Sequence, residues 1–414
     1  MIARDDATMR TCIRRFPGLS LAFALACSSA GGDDPSVASA TEGNPTTDDP
    51  EGSASADDDP SAADDDGTSA ASAPTGADSD DDGDDGTAMP EPGPDVAIEA
   101  FDGEHMYWSS DDDSHREVDV ALEFPASDAG YATISLELGV RCPEGGCDYW
   151  DRLGSLAIVE NEGQDDEYLV EIARFVTPYR VEGTWTIDLS HLRPLLTGPR
   201  TLRLFVDTWV GPGHAQGEGW LVDARFDFVG GVASPRPIAV IPIYTRRAYE
   251  VGNPDAPIAD AVPPTEIVVP SGTTSATLVS LITGHGQGNA ENCAEFCQDN
   301  HGYLVGGTLP IQRTVWRSDC DNNTIDMQIG NWAAARAGWC PGADVVPWIE
   351  DVTEAVTAGE SMTIEYAVSP YENTCRPSAA TCEGCALLTT CEYDGSNHTE
   401  PQVRMSTLLV AWAD

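Results

Sequence analysis

From Val96 onward the chain consists of short runs rich in β-branched and aromatic residues, each cut off by Gly, Pro, Asn or Asp. Such runs occupy 168–176, 184–189, 201–210, 220–229, 237–244, 274–283, 362–368 and 405–412. Helical periodicity is nearly absent, so the apolar side chains must be buried by strands paired into sheets. Many short strands with turn signals between them predict an all-β protein of antiparallel β-sandwiches. Two Gly and two Pro interrupt the pattern between Gly230 and Pro237, which predicts two sandwich domains at 96–235 and 236–414.

The preceding segment cannot fold this way. Residues 28–95 carry 20 acidic side chains and no Arg, with few large apolar groups. Such a stretch cannot offset its ordering entropy and its charges repel, so it is expected to be a disordered acidic linker. Asp78, Asp80, Asp82 and Gly83 imitate the start of an EF-hand loop, but Met89 stands where the closing Glu belongs. Further upstream, Arg10, Arg14 and Arg15 precede a short apolar run that ends at Ala26-Cys27. This is the pattern of a signal peptide over 1–27, and its ending is similar to a lipoprotein box with Cys27 as the lipidated residue. Ordinary cleavage nearby is the alternative. No apolar stretch reaches the roughly 18 residues of a membrane-spanning helix. Any membrane contact is therefore expected through a lipid anchor, on an outer-membrane, cell-surface or secreted protein.

Charge narrows the function. Acidic residues number 70 against 21 basic ones, for a net charge of −49, and every basic residue is Arg. Without Lys there is no Schiff-base chemistry and no lysine-dependent phosphate loop. A nucleic-acid partner is not expected, because phosphates need cations to neutralise them. Removing Cys12 and Cys27 from the 12 cysteines leaves an even number in an exported chain, which suggests a disulfide framework.

Three acids stand out. Along 201–209, Leu202, Leu204 and Val206 share one strand face, and Arg203, Phe205, Asp207 and Trp209 share the other. Asp207 reads either as a solvated strand residue or as an acid presented beside an indole to a sugar ring. Asp151 lies between Trp150 and Arg152, just after Cys142 and Cys147, which can close a tight loop worth on the order of 2 kcal/mol. An exposed Asp–Arg pair is the bland alternative. Glu295 lies between Cys293 and Cys297, a spacing that suits a disulfide and is also open to zinc.

Several strings are similar to the peptide-N-glycosidase F family. They are Cys-Asp-x-Trp-Asp-Arg at 147–152, Arg-Phe-Val-Thr-Pro-Tyr at 174–179, and Asp207-Thr-Trp209. Gly284-His285, Cys-Ala-Glu-x-Cys at 293–297, Gly330-Asn-Trp332 and the run from Arg336 to Gly342 continue the match in order. The resemblance implies two side-by-side antiparallel jelly-roll sandwiches with the active site in the cleft between them. It implies hydrolysis of the asparagine side-chain amide in N-glycosylated proteins or glycopeptides, without metal or cofactor, by a monomer. Asp151 would be the principal carboxylate, Glu295 the second, working through a water, and Asp207 a positioning acid. Arg152, Trp209, His285, Arg336 and Trp339 would bind substrate. Disulfides would join Cys142 to Cys147, Cys293 to Cys297 and Cys320 to Cys340.

Amide hydrolysis needs an activated water, a polarised carbonyl and a proton for the leaving amine, and two acids with separated pKa values can divide those duties. Three departures from the family pattern matter. Asp207 replaces Glu, Thr283 replaces a Trp whose loss would alter sugar stacking, and a segment with Cys375, Cys382, Cys385 and Cys391 is added. Two extra disulfides are expected there, with a metal or redox site as the alternative. Two rival functions are a surface lectin or adhesin that has lost turnover and a copper monooxygenase of a related fold. The latter needs clustered His, whereas His105, His115, His191, His214, His285, His301 and His398 are scattered.

Overall fold

The protein is described here by a computed structural model covering residues 90–110, 114–251, 256–286, 294–322, 325–368 and 401–414. The expected signal segment with Cys27, the linker up to residue 89, Cys293, and Cys375, Cys382, Cys385 and Cys391 lie outside the described residues. The protein is nearly all β, in sheets that are antiparallel apart from one short parallel pair, residues 91–92 with 129–130.

The first half contributes β1 (Glu91–Pro92), β2 (Val96–Met106), β3 (Glu117–Phe124), β4 (Ala129–Arg141), β5 (Leu153–Glu160), β6 (Tyr168–Val176), β7 (Gly183–Asp188), β8 (Gly198–Val206) and β9 (Trp220–Gly230). One sheet runs β1-β4-β9-β2 with β7 also on β4, and a second runs β6-β5-β8-β3. Period-two alternation turns Leu136, Leu138 and Val140 of β4 and Leu202, Leu204 and Val206 of β8 inward, each at most 1% exposed. These side chains belong to one continuous core.

The second half contributes β10 (Arg236–Glu250), β11 (Thr265–Val268), β12 (Ser275–His285), β13 (Asn300–Val305), β14 (Leu309–Thr314), β15 (Ala343–Asp344), β16 (Trp348–Asp351), β17 (Ser361–Val368) and β18 (Gln402–Ala413). Sheets β10-β18-β12-β16 and β11-β17-β13-β14 enclose a separate core around Leu278, Ile282, Val305, Ile364 and Leu409.

Two features join the halves, which lie within one compact unit. First, β15 pairs with β6 and so extends a sheet of the first half. Gly342 N–H donates to Val176 O at 3.0 Å, Val345 N–H to Arg174 O at 2.8 Å, and the Trp185 indole to Gly342 O at 3.0 Å. Second, Arg174 of β6 reaches across the seam. Its guanidinium makes two bonds to Glu171, at 2.7 and 2.6 Å, and donates to Thr283 Oγ1 at 2.8 Å and Arg404 O at 2.9 Å. The Ser406 hydroxyl donates to Glu171 from β18. A buried ion pair survives desolvation only when its remaining donors and acceptors are met, as they are here.

The expected linker ends too late. Residues 91–92 pair with 129–130, Gly93 N–H donates to Gly130 O at 2.9 Å, and Asp95 accepts from Gly230 N–H at 2.8 Å. Backbone pairing orders this stretch, which its polar composition conceals.

Candidate active site

The loop that ends at Asp151 is held by covalent and polar links. Cys142 and Cys147 are disulfide-bonded, and Gly146 adopts φ +97° within the turn they close. Asp148, next in sequence, is fully buried. It accepts from Arg152 Nε at 2.6 Å and Nη2 at 3.3 Å, from Thr208 Oγ1 at 2.8 Å and from Trp150 N–H at 3.0 Å. Four donors fill a carboxylate's acceptor sites and offset its burial. Arg152 N–H donates to Thr177 Oγ1 at 2.8 Å, and Thr177 N–H returns a bond to Arg152 O at 2.9 Å. Asp151 is therefore flanked by two fixed neighbours, with its side chain 14% exposed.

Glu295 arrives from the other half. Gly284 closes β12 and passes so near Ala294 O that an added Cβ would sit 2.2 Å from it. This close approach lets Glu295 N–H donate to Gly286 O at 3.1 Å, while Ala337 N–H donates to Glu295 O at 2.9 Å. The Gly286 amide also donates to the Glu295 carboxylate. Cys297 is disulfide-bonded, and a disulfide sulfur is not the thiolate that zinc requires.

Arg336 joins the two acids. It is 1% exposed, its Nε donates to Glu295 at 3.1 Å, and its Nη2 lies 3.9 Å from Asp151. Its other donors go to Ala334 O at 2.7 Å and Asn331 O at 2.6 Å, and its charge lies 4.9 Å from the Trp339 ring centre. Opposite, the Tyr179 hydroxyl donates to Asp151. The Tyr179 ring rests on Gly330, where a Cβ would meet it at 2.3 Å.

Burial raises the Asp151 carboxyl above its ordinary range, opposed by Arg336 and Tyr179. Burial likewise pushes Glu295 up to about 7, opposed by Arg336 and reinforced by the Asp151 charge. Near neutral pH this pair can hold one proton between two acids in unlike surroundings.

The structure brings Asp151, Glu295 and Arg336 together. Asp207 lies one residue beyond the end of β8, earlier than the expected strand end at 210, yet the alternation of buried and exposed residues continues. Its N–H donates to Leu153 O at 2.9 Å, and its carboxylate faces Arg116 at 3.5 Å and Arg404 at 4.0 Å. Trp209 is 51% exposed under the Arg116 guanidinium, 4.3 Å from the ring centre. Trp150 is equally exposed.

Four positions singled out from the sequence are placed as follows. Trp339 is 3% exposed and backs Arg336, so it offers no face to a sugar. The His285 ring stacks on Trp339 at 5.3 Å and bonds to Thr283 Oγ1 at 2.8 Å. Burial, then the Arg404 and Arg174 charges, hold its pKa well below the ordinary value, so it is a neutral support. Thr283 is fully buried and receives Arg174, so this position is not a sugar platform here. Arg152 is committed to Asp148.

Asp148, Thr177, Tyr179, Thr208, Arg116 and Arg404 had no assigned roles from sequence. Asp148, Thr177, Tyr179 and Thr208 carried a signal as members of the strings at 147–152, 174–179 and 207–209, whereas Arg116 and Arg404 carried none.

The family profile described as peptide-N-glycosidase F, C terminal, matches residues 256–384. The chain is 31% identical over 264 residues to peptide-N(4)-(N-acetyl-beta-D-glucosaminyl)asparagine amidase F of Elizabethkingia miricola, spanning 60% of this chain and 71% of that protein. The solved structure of PNGase F, a glycosylasparaginase from Flavobacterium meningosepticum, superposes with a TM-score of 0.63 at 23% identity, over 78% of this chain and 96% of that one. PNGF-II superposes with a TM-score of 0.57 at 16% identity, over 77% of this chain and 65% of its own.

Proposed function

The chain belongs to the peptide-N-glycosidase F family, and on that premise we propose that it hydrolyses the side-chain amide of glycosylated asparagine. It is a hydrolase of carbon–nitrogen bonds, and its substrates are N-glycoproteins or glycopeptides. The reaction leaves Asp in the peptide and releases a glycosylamine. The observation that carries this reading is the pairing of Asp151 and Glu295, from different halves of the molecule, across the buried Arg336.

In this reading Glu295, pushed up to about 7 by burial, holds the shared proton near neutral pH, and Asp151, facing Arg336 and accepting from Tyr179, acts as the anion. A water attacks the amide carbon and gives a proton to Asp151 as the carbon–oxygen bond forms. Glu295 delivers its own proton, through a second water, to the departing nitrogen as the carbon–nitrogen bond breaks. Arg336 keeps the pair from both becoming neutral, and its buried charge favours the developing oxyanion. Asp207, held between Arg116 and Arg404, positions the substrate, and the exposed Trp150 and Trp209 rings offer apolar faces to sugar or peptide.

This division of labour has a pH signature. Activity falls as pH rises through about 7 and Glu295 loses its proton, and falls again in acid as Asp151 gains one. A bell-shaped kcat profile checks it. Two further proposals accompany the activity. Export with lipidation at Cys27 fits a chain with disulfides at Cys142–Cys147 and Cys320–Cys340. Division into domains near Arg236 fits the two separate cores.

The decisive test digests a denatured N-glycoprotein in heavy-oxygen water, with Asp151→Asn and Glu295→Gln as controls. Labelled Asp at formerly glycosylated sites, absent from both controls, is expected. One observation favours a second reading, a glycan-binding surface protein without turnover: the shorter Asp207 stands where the family has Glu. Retained glycan binding with no labelled Asp from the wild type would establish that reading instead.

A further inference from the structure

Between β10, β18 and the first half lies a cavity of about 380 Å³, whose lining includes Arg174, Arg246, Arg247, Arg404, Glu171 and Tyr168. The chain has 21 basic residues and a net charge of −49, so four Arg around one opening is a marked local reversal of sign. Two of the four are engaged. Arg174 is neutralised by Glu171, and Arg404 leans towards Asp207 at 4.0 Å. Among the described residues Arg246 and Arg247 make no salt bridge within 4 Å, although the Glu171 and Glu117 charges act on Arg246 from further away. The nearby Glu117 pairs with Arg203 instead, at 3.4 Å.

The backbone is bent to bring Arg246 there. Between the pairs Tyr244↔Thr407 and Arg247↔Met405, two residues of β10 oppose one of β18, which is a β-bulge. Arg246 sits in it at φ +45°, and its N–H donates to Ser406 Oγ at 3.1 Å. The other left-handed non-glycine residues described, Asn161, Arg180 and Met327, lie outside strands. Such a conformation persists only where the surroundings enforce it, and bulges of this kind re-aim a side chain. The guanidinium lies 5.3 Å from the Phe205 ring centre, and the half-exposed Tyr168 offers a second ring at the rim.

We propose that this cavity is a binding subsite for an oxyanion, such as a carboxylate or sulfate, carried by the substrate away from the amide that is cut. Guanidinium forks match the planar or tetrahedral array of oxygens such a group presents. Arg404 connects the cavity to Asp207, so a substrate seated at Asp151 and Glu295 can extend into it. The inference rests on the amidase reading for its choice of ligand. The anion can belong to an outer sugar or to an acidic side chain of the peptide, and the two sources are separable by experiment.

The test compares three glycopeptides: neutral glycan on neutral peptide, carboxylated glycan on neutral peptide, and neutral glycan on Asp-rich peptide. Wild type is compared with Arg246→Gly, which suits the left-handed backbone while removing the charge, and with Arg247→Gln. The wild type is expected to show a KM about tenfold lower for one of the two acidic substrates, the value of one charge-assisted contact. Both variants are expected to lose that preference, with turnover of the neutral substrate unchanged. The arm that shows the preference identifies the source of the anion. No preference in the wild type, or a preference that survives both substitutions, would overturn the proposal. Should no substrate turn over, the amidase reading fails separately. Calorimetric binding of the two acidic glycopeptides to wild type and Arg246→Gly then decides the subsite: binding that depends on Arg246 upholds it, and its absence overturns it.

Discussion

At the residue scale the chemistry turns on Glu295. Its folded pKa of about 7 lies above the ordinary 4.5, so the folded state binds its proton more tightly than the unfolded state does. Its contribution to stability is therefore complete below about pH 4.5 and is lost as pH rises through about 7. Replacing Glu295 by Gln removes that penalty. We expect Glu295→Gln to abolish turnover, to match the wild type in melting at pH 4.5, and to exceed it at pH 8.5 by on the order of 2 kcal/mol. Melting scans at the two pH values read the sign directly. An inactive variant with no gain at high pH would mean that Glu295 is not proton-bound in the native state. Asp148 makes the contrast: a carboxylate more deeply buried but met by four donors, it shapes the loop rather than reacting.

At the scale of elements, catalysis depends on how strands end. β12 finishes at Gly284-His285, and the chain returns past Gly284 closely enough for Glu295 to bond Gly286. A Cβ at Gly284 would meet the Ala294 carbonyl carbon at 2.7 Å and Ala337 Cβ at 2.9 Å, so the returning segment must move away. Gly284→Ala is expected to leave the sheets intact by circular dichroism and to lower kcat by about 100-fold, the cost of displacing a catalytic group by about 1 Å. The sequence was readable at this scale wherever alternation ruled. The strand at 168–176 matches β6 residue for residue, and Leu202, Leu204 and Val206 are core as their spacing demands. The end of β8 before Asp207, the pairing of residues 91–92 and the bulge at Arg246 were not readable. Each is set by a partner strand far away in the chain, which local composition does not encode.

At the scale of the whole molecule, the site exists only while the two halves hold their register. Asp151 belongs to the first and Glu295 to the second, and the link between them includes the pairing of β15 with β6 and the buried Glu171–Arg174 pair. Arg174→Met leaves Glu171 buried without its cation, which costs about 3–5 kcal/mol. The expected result is a lower melting temperature together with a kcat loss at temperatures where both cores remain folded. Amide exchange that stays slow in β4 and β12 but quickens in β15 would locate the loosening at the seam.

The residues themselves determined the β class, the inward faces of the strands, and the motif strings that place the chain in its family. Those properties follow from local alternation, turn chemistry and unusual short strings, each legible within about a dozen residues. Only the tertiary structure decided that Trp339, His285 and Thr283 stand behind the site rather than facing it, that Arg152 belongs to Asp148, and that Arg336 spans both acids. The reason is physical. Burial, and with it the pKa of an acid or the reach of a guanidinium, is a property of what packs around a side chain. For Asp151 and Thr283 the deciding neighbours, Arg336 and Arg174, come from the opposite half, more than 100 residues away along the chain.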